Sequence, residues 1–392
     1  MDVVIPALSV MIVLLLAALT AEWIAHERAL GRIQTRIHVN GTRGKSSVTR
    51  LIAAGLRAKG MSVLGKTTGS SPRILDLEGK DRIIHRLSNA SIGEQVRFMR
   101  YFSRMKPNAV VLECMAVQPQ YQWVAEHRMV KSTHSVITNA RLDHIDEMGY
   151  RLHDIASSLS NTIPFKGQVF TAEQDRLDVF QEVSQRRNSK LVAVSGDDLD
   201  PEDMAGFNHI EHPDNVALAL AVCTSLGVQR EAALNAMRQA VPDPGALRVW
   251  NLRKNGNRFK FVNAFAANDP QSTQTIWNMI KANPALDHEH SCAFLNTRSD
   301  RPSRTIQLLE LILKDIKPDR LVVRGDRLDR FDRDYFDKMG DRVHTFSESA
   351  PPEKVISDIL DLPNNTLIFG MGNIVGSGFT LLDALKNYRV SE

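Results

Sequence analysis

The 392-residue chain has little with which to cross-link itself: its three cysteines, Cys114, Cys223 and Cys292, stand far apart. That scarcity excludes a disulfide framework and a cysteine-based zinc site, and fits a reducing compartment. The chain also lacks a marked excess of either charge. Lys plus Arg number 49 against 45 Asp plus Glu, a net of +4, too small and too scattered to signal nucleic-acid binding. Neither an internal repeat nor a low-complexity tract occurs. With 43% hydrophobic and 24% charged residues, disordered and collagen-like classes are excluded. The length exceeds one compact core and predicts two domains of ordinary size.

Charge is absent altogether from Val3 to Ala21, and Met11 to Ala18 is almost purely aliphatic. About nineteen helical residues rise about 28 Å, close to the hydrocarbon thickness of a bilayer. Trp23 follows, where an amphipathic ring suits the headgroup layer. A cleaved signal peptide would carry a positive leading region, but only Asp2 precedes the apolar run. A buried core helix would have a shorter apolar stretch. The remaining reading is a single-pass membrane anchor over residues 1–25. Arg28, Arg32 and Arg36 come after it and no basic residue before it, which predicts that the bulk of the protein faces the cytoplasm.

Beyond residue 30, short β-branched runs alternate with helical stretches. Strands are expected at Arg36–Asn40, Ala109–Glu113, Ser135–Thr138, Gln168–Thr171 and Leu191–Val194, and helices at Ser46–Lys59 and Asn215–Leu226. The alternation predicts an α/β domain with a mostly parallel sheet over 30–243. Val241-Pro-Asp-Pro-Gly245 breaks the pattern, because two prolines and a glycine suit neither a helix interior nor a central strand. A smaller open α/β sheet is expected over 246–392, with strands at Phe259–Val262, Ala293–Asn296, Arg320–Arg324, Arg342–Phe346 and Thr366–Phe369.

The strand Ile37-His-Val-Asn40 runs into Gly41-Thr42-Arg43-Gly44-Lys45-Ser46-Ser47, with a helix after it. Glycines let the backbone curl so that its N–H groups point at phosphate oxygens, and the helix N-terminus adds favourable potential. In such a loop Lys45 reaches the terminal phosphates and the Ser46 hydroxyl ligates Mg²⁺. The longer pattern G-x-x-x-x-G-K-[ST] is not met, since Val39 stands at its first glycine. Two further features fall at expected strand ends, where open α/β sheets bind ligands. Val110-Val-Leu-Glu113 ends in a carboxylate, which is either a hard oxygen donor for Mg²⁺ or an ordinary strand-end acid. Asn139-Ala-Arg-Leu-Asp143-His144-Ile-Asp146 sets a histidine between two aspartates. His144 there is a ligand candidate, or Asp143 merely orients it.

Together these three features resemble the Mur ligase superfamily, which includes the peptidoglycan-precursor ligases and folylpolyglutamate synthase. Asp214-Asn215-Val-Ala-Leu-Ala is similar to its nucleotide-contacting helix, Pro244-Gly-Ala-Leu-Arg248 to its interdomain Pro-Gly-Arg segment, and Asn263-Ala-Phe-Ala-Ala-Asn268-Asp to its nucleotide-closing loop. Within the superfamily the likeness is closest to the poly-γ-glutamate synthase ligase subunits. It rests on the anchor before the loop and on Gly65-Lys-Thr-Thr-Gly69, Glu113-Cys-Met-Ala116, Asp143-His-Ile-Asp-Glu-Met-Gly149, Pro242-Asp-Pro-Gly-Ala246 and Phe265-Ala-Ala-Asn-Asp269. Asn296-Thr-Arg-Ser-Asp-Arg301 and Gly370-Met-Gly-Asn-Ile-Val-Gly376 carry it toward the C-terminus. Too few residues precede 36 for the nucleotide-sugar domain of the peptidoglycan ligases, which argues against a UDP-linked substrate.

The resemblance implies a P-loop central domain, a Rossmann-like C-terminal domain, and ATP with Mg²⁺ (Mn²⁺ as an alternative) as cofactors. It implies a nucleotide site of Gly41, Thr42, Arg43, Gly44, Lys45, Ser46, Ser47, Asn215, Arg248 and Asn268, with Ser46, Glu113 and His144 on metal. Lys45, Glu113, His144 and Arg248 would carry the catalysis. The implied reaction is ATP-dependent amide ligation of glutamate into poly-γ-glutamate for a capsule or extracellular polymer. Implied partners are the growing polymer, a small multi-span membrane subunit, and further copies of the chain in a larger complex, with no nucleic acid. Two departures stand out. Many superfamily members carry a carbamylated lysine about fifteen residues after the metal histidine, where this chain reads Ile155-Ala-Ser-Ser-Leu159. Asn263 also replaces the usual aspartate of the closing loop. Two other functions remain open: a folate-type γ-glutamyl ligase, against which the anchor speaks, and a membrane-anchored ATPase that energises polymer export without forming a bond. Two weaker features admit two readings each. Arg298, Arg301 and Arg304, at a spacing of three with Asp300 among them, are a polyanion track or a solvated helix face. The glycines from Gly370 to Gly376 are an anion turn or tight packing.

Overall fold

The computed structural model describes residues 4–68, 72–86, 90–207, 209, 211–243, 247–265, 269–282, 286–374 and 377–390. The chain divides into two compact units, residues 1–207 with 212–241, and residues 208–211 with 242–392.

The first unit is built on eight strands: β1 (Thr35–Asn40), β2 (Val63–Thr67), β3 (Arg73–Leu75), β4 (Asp81–Ile83), β5 (Ala109–Glu113), β6 (His134–Ile137), β7 (Gln168–Thr171) and β8 (Lys190–Ala193). They lie in the order β4-β3-β2-β5-β1-β6-β7-β8. From β2 to β8 every pairing is parallel, while β3 and β4 add an antiparallel edge. The strand β5, Ala-Val-Val-Leu-Glu, is buried at all five positions, as a strand covered on both faces of a parallel sheet must be. The helix α2 (Lys45–Arg57) follows the loop after β1. Its Val48, Leu51, Ile52 and Leu56 fall at helical spacing and are wholly enclosed. Gly55 on the same helix lets the helix Pro213–Ser225 approach, since a Cβ there would stand 2.6 Å from Cys223 Sγ. On β1, His38 is fully buried with Nδ1 2.7 Å from Glu126 Oε2. Burial alone would keep that ring neutral, but Cys114 and Glu126 raise its pKa to about 10.

The second unit holds β9 (Arg248–Lys254), β10 (Asn257–Asn263), β11 (His290–Asn296), β12 (Arg320–Arg324), β13 (Val343–Phe346) and β14 (Thr366–Gly372). Their order is β13-β12-β11-β14-β10-β9, with only β9 antiparallel.

Several expectations need correction. The N-terminal helix α1 runs unbroken from Val4 to Gly31, so the helix continues past the apolar segment. Its body is exposed on every side, Met11 at 65% and Leu14 at 64%, while Ala29 and Leu30 are buried. Three expected strands begin one residue earlier than anticipated, at Thr35, His134 and Lys190. The strands β2, β3, β4 and β9 were not anticipated; β3 and β4 are three-residue edge strands with charged residues among them. The run Gly370–Gly372 is not a turn but the buried end of β14, and a Cβ on Gly370 would meet Phe261 at 2.8 Å. That is the packing reading, for the part of the motif described; Val375 and Gly376 lie outside the described residues. Arg298, Arg301 and Arg304 do not share one helix face, because their helix begins only at Pro302. Arg298 instead pairs with Asp300 at 2.7 Å.

The core of the first unit sets one expected outcome. Leu51→Ala removes a side chain that is 1% exposed and should lower the unfolding free energy by about 3 kcal/mol, read from chemical denaturation of the full chain in detergent.

Candidate functional site

Three parallel neighbours, β2, β5 and β1, end at the same edge of the sheet, with β6 beside them. The loop Gly41–Gly44 leaves β1 there and enters α2 at Lys45. Its turn requires glycine at two positions. Gly41 has φ +130° and Gly44 has φ +81°, conformations that side chains rarely adopt. A Cβ on Gly41 would strike Thr138 Oγ1, and one on Gly44 would stand 2.5 Å from Asn215 Oδ1. The sequence thus brings Asn215, on the helix Pro213–Ser225, directly against the loop.

Asn139 fastens the loop from the β6 side. Its Oδ1 accepts from Thr42 Oγ1 at 2.7 Å and from the Arg43 N–H at 3.1 Å. Its backbone carbonyl accepts from the Thr42 N–H at 3.1 Å, and its Nδ2 donates to the Arg43 carbonyl. Thr42 Oγ1 in turn accepts from the Arg141 N–H at 2.9 Å. Lys45 Nζ donates to the Gly41 carbonyl at 2.7 Å, and so lies folded over its own loop.

Ser46, in the first turn of α2, donates to Glu113 Oε2 at 2.8 Å. The same oxygen accepts from the Thr68 N–H at 2.7 Å. Glu113 is 2% exposed at the end of β5. Beside it, Lys66 of β2 is completely buried, 3.6 Å from Glu94 Oε2 and with its ammonium over the Phe98 ring. Burial lowers the Lys66 pKa, while Glu94 and Glu113 work against that shift.

His144 follows the β6 edge loop with φ +49°. Its Nε2 lies 3.9 Å from Asp143 Oδ2 and its Nδ1 lies 4.0 Å from Glu147 Oε2. Burial lowers its pKa; Asp143 opposes this, and the Lys45 and Arg43 cations reinforce it. The ring is therefore neutral at pH 7, with a lone pair to offer. Asp143 also pairs with Arg43 at 3.2 Å.

Of the anticipated residues, Gly41, Thr42, Arg43, Gly44, Lys45, Ser46, Glu113 and Asn215 are thus joined through the loop by contacts given above. Ser47 is in the first turn of α2. His144 is coupled to them through the charges of Lys45 and Arg43. Arg248 opens β9 in the second unit, and its side chain lies outside the description. Asn268 and Pro244–Ala246 also lie outside the described residues. Among the described residues no group of three or more His, Cys, Asp or Glu is arranged to hold a metal. Ser46 and Glu113 do provide an oxygen pair, the donor type that hard divalent cations take when several waters complete the shell. The turn at Gly41 and Gly44, leading into the start of α2, is of the kind that fits a phosphate. Sequence reasoning missed two parts. The Thr68 contact is made by backbone, which no side-chain pattern reveals. The role of Asn139 as the loop's clasp depends on β6 lying next to β1.

The Mur ligase middle domain pattern matches residues 39–231, and that of the poly-γ-glutamate synthase CapB C-terminal domain matches residues 249–388. The capsule biosynthesis protein CapB of Bacillus anthracis is 33% identical over 372 residues, spanning 94% of this chain and 80% of that protein. The PGA synthase CapB of Bacillus subtilis is 32% identical over 371 residues, spanning 94% of each. Among solved structures, E. coli FolC in complex with DHPP and ADP superposes with a TM-score of 0.65 at 16% identity, covering 93% of both chains. The Yersinia pestis bifunctional folylpolyglutamate synthase/dihydrofolate synthase with AMPPNP and Mn ion gives 0.66 at 17% identity, covering 93% of this chain and 92% of that one. At that identity the likeness concerns the fold.

Gly44→Ala should weaken binding of a non-hydrolysable ATP analogue by about tenfold or more. The strain of φ +81° should cost the fold only about 1–2 kcal/mol. Parallel measurements of binding and of the unfolding midpoint check the pair of outcomes.

Proposed function

The chain belongs to the CapB family of poly-γ-glutamate synthases, and we propose that it is an ATP-dependent ligase joining glutamate units through their γ-carboxyl groups. The observation that carries this reading is the clasped loop with Ser46 donating to Glu113 at its helix start. That is a phosphate cradle set beside a pair of oxygen donors for a cation.

The chemistry explains why such a site suffices. A carboxylate is a poor acyl donor, because its leaving group would be oxide. Transfer of the γ-phosphoryl group from ATP to the γ-carboxylate gives an acyl phosphate and ADP. The amine of the other glutamate then attacks the acyl carbon, phosphate leaves, and the amine's extra proton passes to solvent. This route needs positioning and charge, and no protein nucleophile. Lys45 exchanges its bond to the Gly41 carbonyl for the β- and γ-phosphate oxygens. The N–H groups of Lys45, Ser46 and Ser47 at the start of α2 would face the same phosphates. Asn215, packed against Gly44, sets the nucleotide's side of the loop. Ser46 and Glu113 would hold one Mg²⁺ or Mn²⁺, and Glu113 with His144 and waters would hold a second in place of the absent carbamylated lysine. Such a cation, when bound, spreads the negative charge of the phosphates.

The exposed apolar body of α1 is the one described helix long and apolar enough to cross a membrane. We read it as a single-pass anchor, with the basic residues Arg28, Arg32 and Arg36 keeping both units in the cytoplasm. One helix makes no conduit for a polyanion. Export therefore calls for a multi-span membrane subunit, with several copies of this chain in the assembly.

Membranes holding the chain and its membrane partner, supplied with labelled glutamate and ATP, should release ADP in proportion to glutamate. They should also form a product that ordinary α-peptidases leave intact. Lys45→Ala should lower ADP release about a hundredfold or more. Turnover of ATP indifferent to glutamate and polymer, without labelled product, would instead identify an export ATPase.

A further inference from the structure

The edge of the first sheet opposite the phosphate loop carries a second concavity. Arg36 lies near the start of β1, Lys131 and Thr133 precede β6, and Lys166 precedes β7. These three strands are parallel neighbours, so the residues gather at their N-terminal ends. With Trp123, Arg128 and Phe165 they line a cavity of about 560 Å³.

Its charge is one-sided. Arg36, Arg128 and Lys166 contribute cations, with Lys131 a fourth that is paired to Glu27. The acid that lines it, Glu126, is already engaged: Oε1 accepts from the Ser132 N–H and hydroxyl, and Oε2 faces His38. Its walls are aromatic. The Arg128 guanidinium stacks 5.6 Å from the Trp123 ring, and that of Arg187 lies 5.5 Å from the Phe165 ring. Phe165 is 60% exposed, with its apolar face toward solvent. Arg36 is held rigidly by four carbonyls, those of Leu30, Ile33, Val130 and Lys131. Its Nη2 makes no hydrogen bond among the described residues.

The cavity also borders the point where α1 meets the unit. Lys131 pairs with Glu27 of that helix, His26 Nε2 lies 2.9 Å from the Met129 carbonyl, and Arg36 bonds the Leu30 carbonyl. Arg100 of α3 (Glu94–Arg104) pairs with Glu22 at 3.2 Å. The last two turns of α1 are thus docked on the unit and are not a free tether. From Trp23 to Leu30 the helix advances about 10 Å, comparable to a headgroup layer of about 5–8 Å next to the hydrocarbon. Fixed arginine donors, mobile cations and amphipathic rings at that depth suit one ligand.

We propose that this cavity binds the phosphodiester headgroup of an anionic phospholipid and so seats the first unit on the membrane surface beside its own anchor. The inference rests on the anchor reading given above. Arg36 donates to the phosphate, Arg128 and Lys166 close over it, and Trp123 and Phe165 cover the glycerol end.

The test uses the full chain in an uncharged detergent with monodisperse dioctanoyl-phosphatidylglycerol, its affinity read by calorimetry. Binding should be at least tenfold tighter than for dioctanoyl-phosphatidylcholine. The double variant Arg128→Gln/Lys166→Gln should lose at least tenfold in affinity, while its ADP release in detergent stays within twofold. Arg253→Gln/Arg258→Gln, on the β9–β10 hairpin, should bind as the parent does. Equal binding of the two lipids, or an unchanged affinity in the Arg128/Lys166 variant, overturns the proposal. Displacement of the lipid by inorganic phosphate or a glutamate oligomer at equal concentration does so too, by assigning the cavity to a soluble anion. Flotation of the full chain with pure phosphatidylcholine vesicles tests the anchor separately. Failure to float removes the anchor, and with it the membrane seat, whatever the headgroup affinity in detergent.

Discussion

Everything at the candidate site depends on one carboxylate oxygen. Glu113 Oε2 receives the Ser46 hydroxyl and the Thr68 N–H, so a single atom ties the start of α2 to the ends of β5 and β2. The pairings of β1 and β2 with β5 fix where these three chain segments finish. A carboxylate buried at such a convergence needs donors around it, because desolvation without them is expensive. Here the donors are a hydroxyl and a backbone amide, both groups that exchange readily for a cation and its waters. The arrangement therefore satisfies the acid while leaving it replaceable, which a salt bridge to Lys or Arg would not.

The clasp on the other side has the opposite character. Asn139 holds Thr42 and Arg43 with its side-chain oxygen, its side-chain nitrogen and its backbone carbonyl. These bonds take up the Thr42 and Arg43 N–H groups and leave those at the start of α2 for a phosphate. The loop is thereby set before any ligand arrives, so the ordering cost of binding is small. Lys45 alone is curled inward onto carbonyls, and exchanging those neutral acceptors for phosphate oxygens is electrostatically downhill.

The sequence made the centre of this site legible for a physical reason. Phosphate cradling demands glycine at positive φ followed by a helix start, and Gly41 and Gly44 supply it within a run of a few residues. Buried parallel strands read as apolar runs, so β5 and β12 were legible to the residue. Other features depend on distant partners. The short strands β3 and β4 pair with each other and join the sheet only through β2, and their local composition gives no strand signal. The enclosure of Lys66 is invisible in Gly-Lys-Thr-Thr, since a lysine in a strand usually faces water. It becomes intelligible once Glu94, held bidentately by Arg86, is seen beside it. The continuation of α1 to Gly31 was hidden by the charges from Glu22 onward, which read as the end of a span. They are instead contacts: Glu22 with Arg100 and Glu27 with Lys131.

Those contacts change what an anchor does. A span joined through a flexible linker would confine the first unit near the bilayer but leave its orientation free. Here the apolar body of α1 and the docked turns are one helix without an intervening glycine or proline, since Pro6 lies in its first turn and Gly31 at its end. Helices of this kind bend only gently unless such a residue or an inserted group interrupts them. Arg36 fastens the far end to β1 through the Leu30 and Ile33 carbonyls, and the same strand leads directly into the phosphate loop. With α1 across a bilayer, the direction of β1, and so the edge at which the loop opens, would be fixed relative to the membrane. A ligase held in this way would gain from such fixed geometry, because each addition would then begin from one pose.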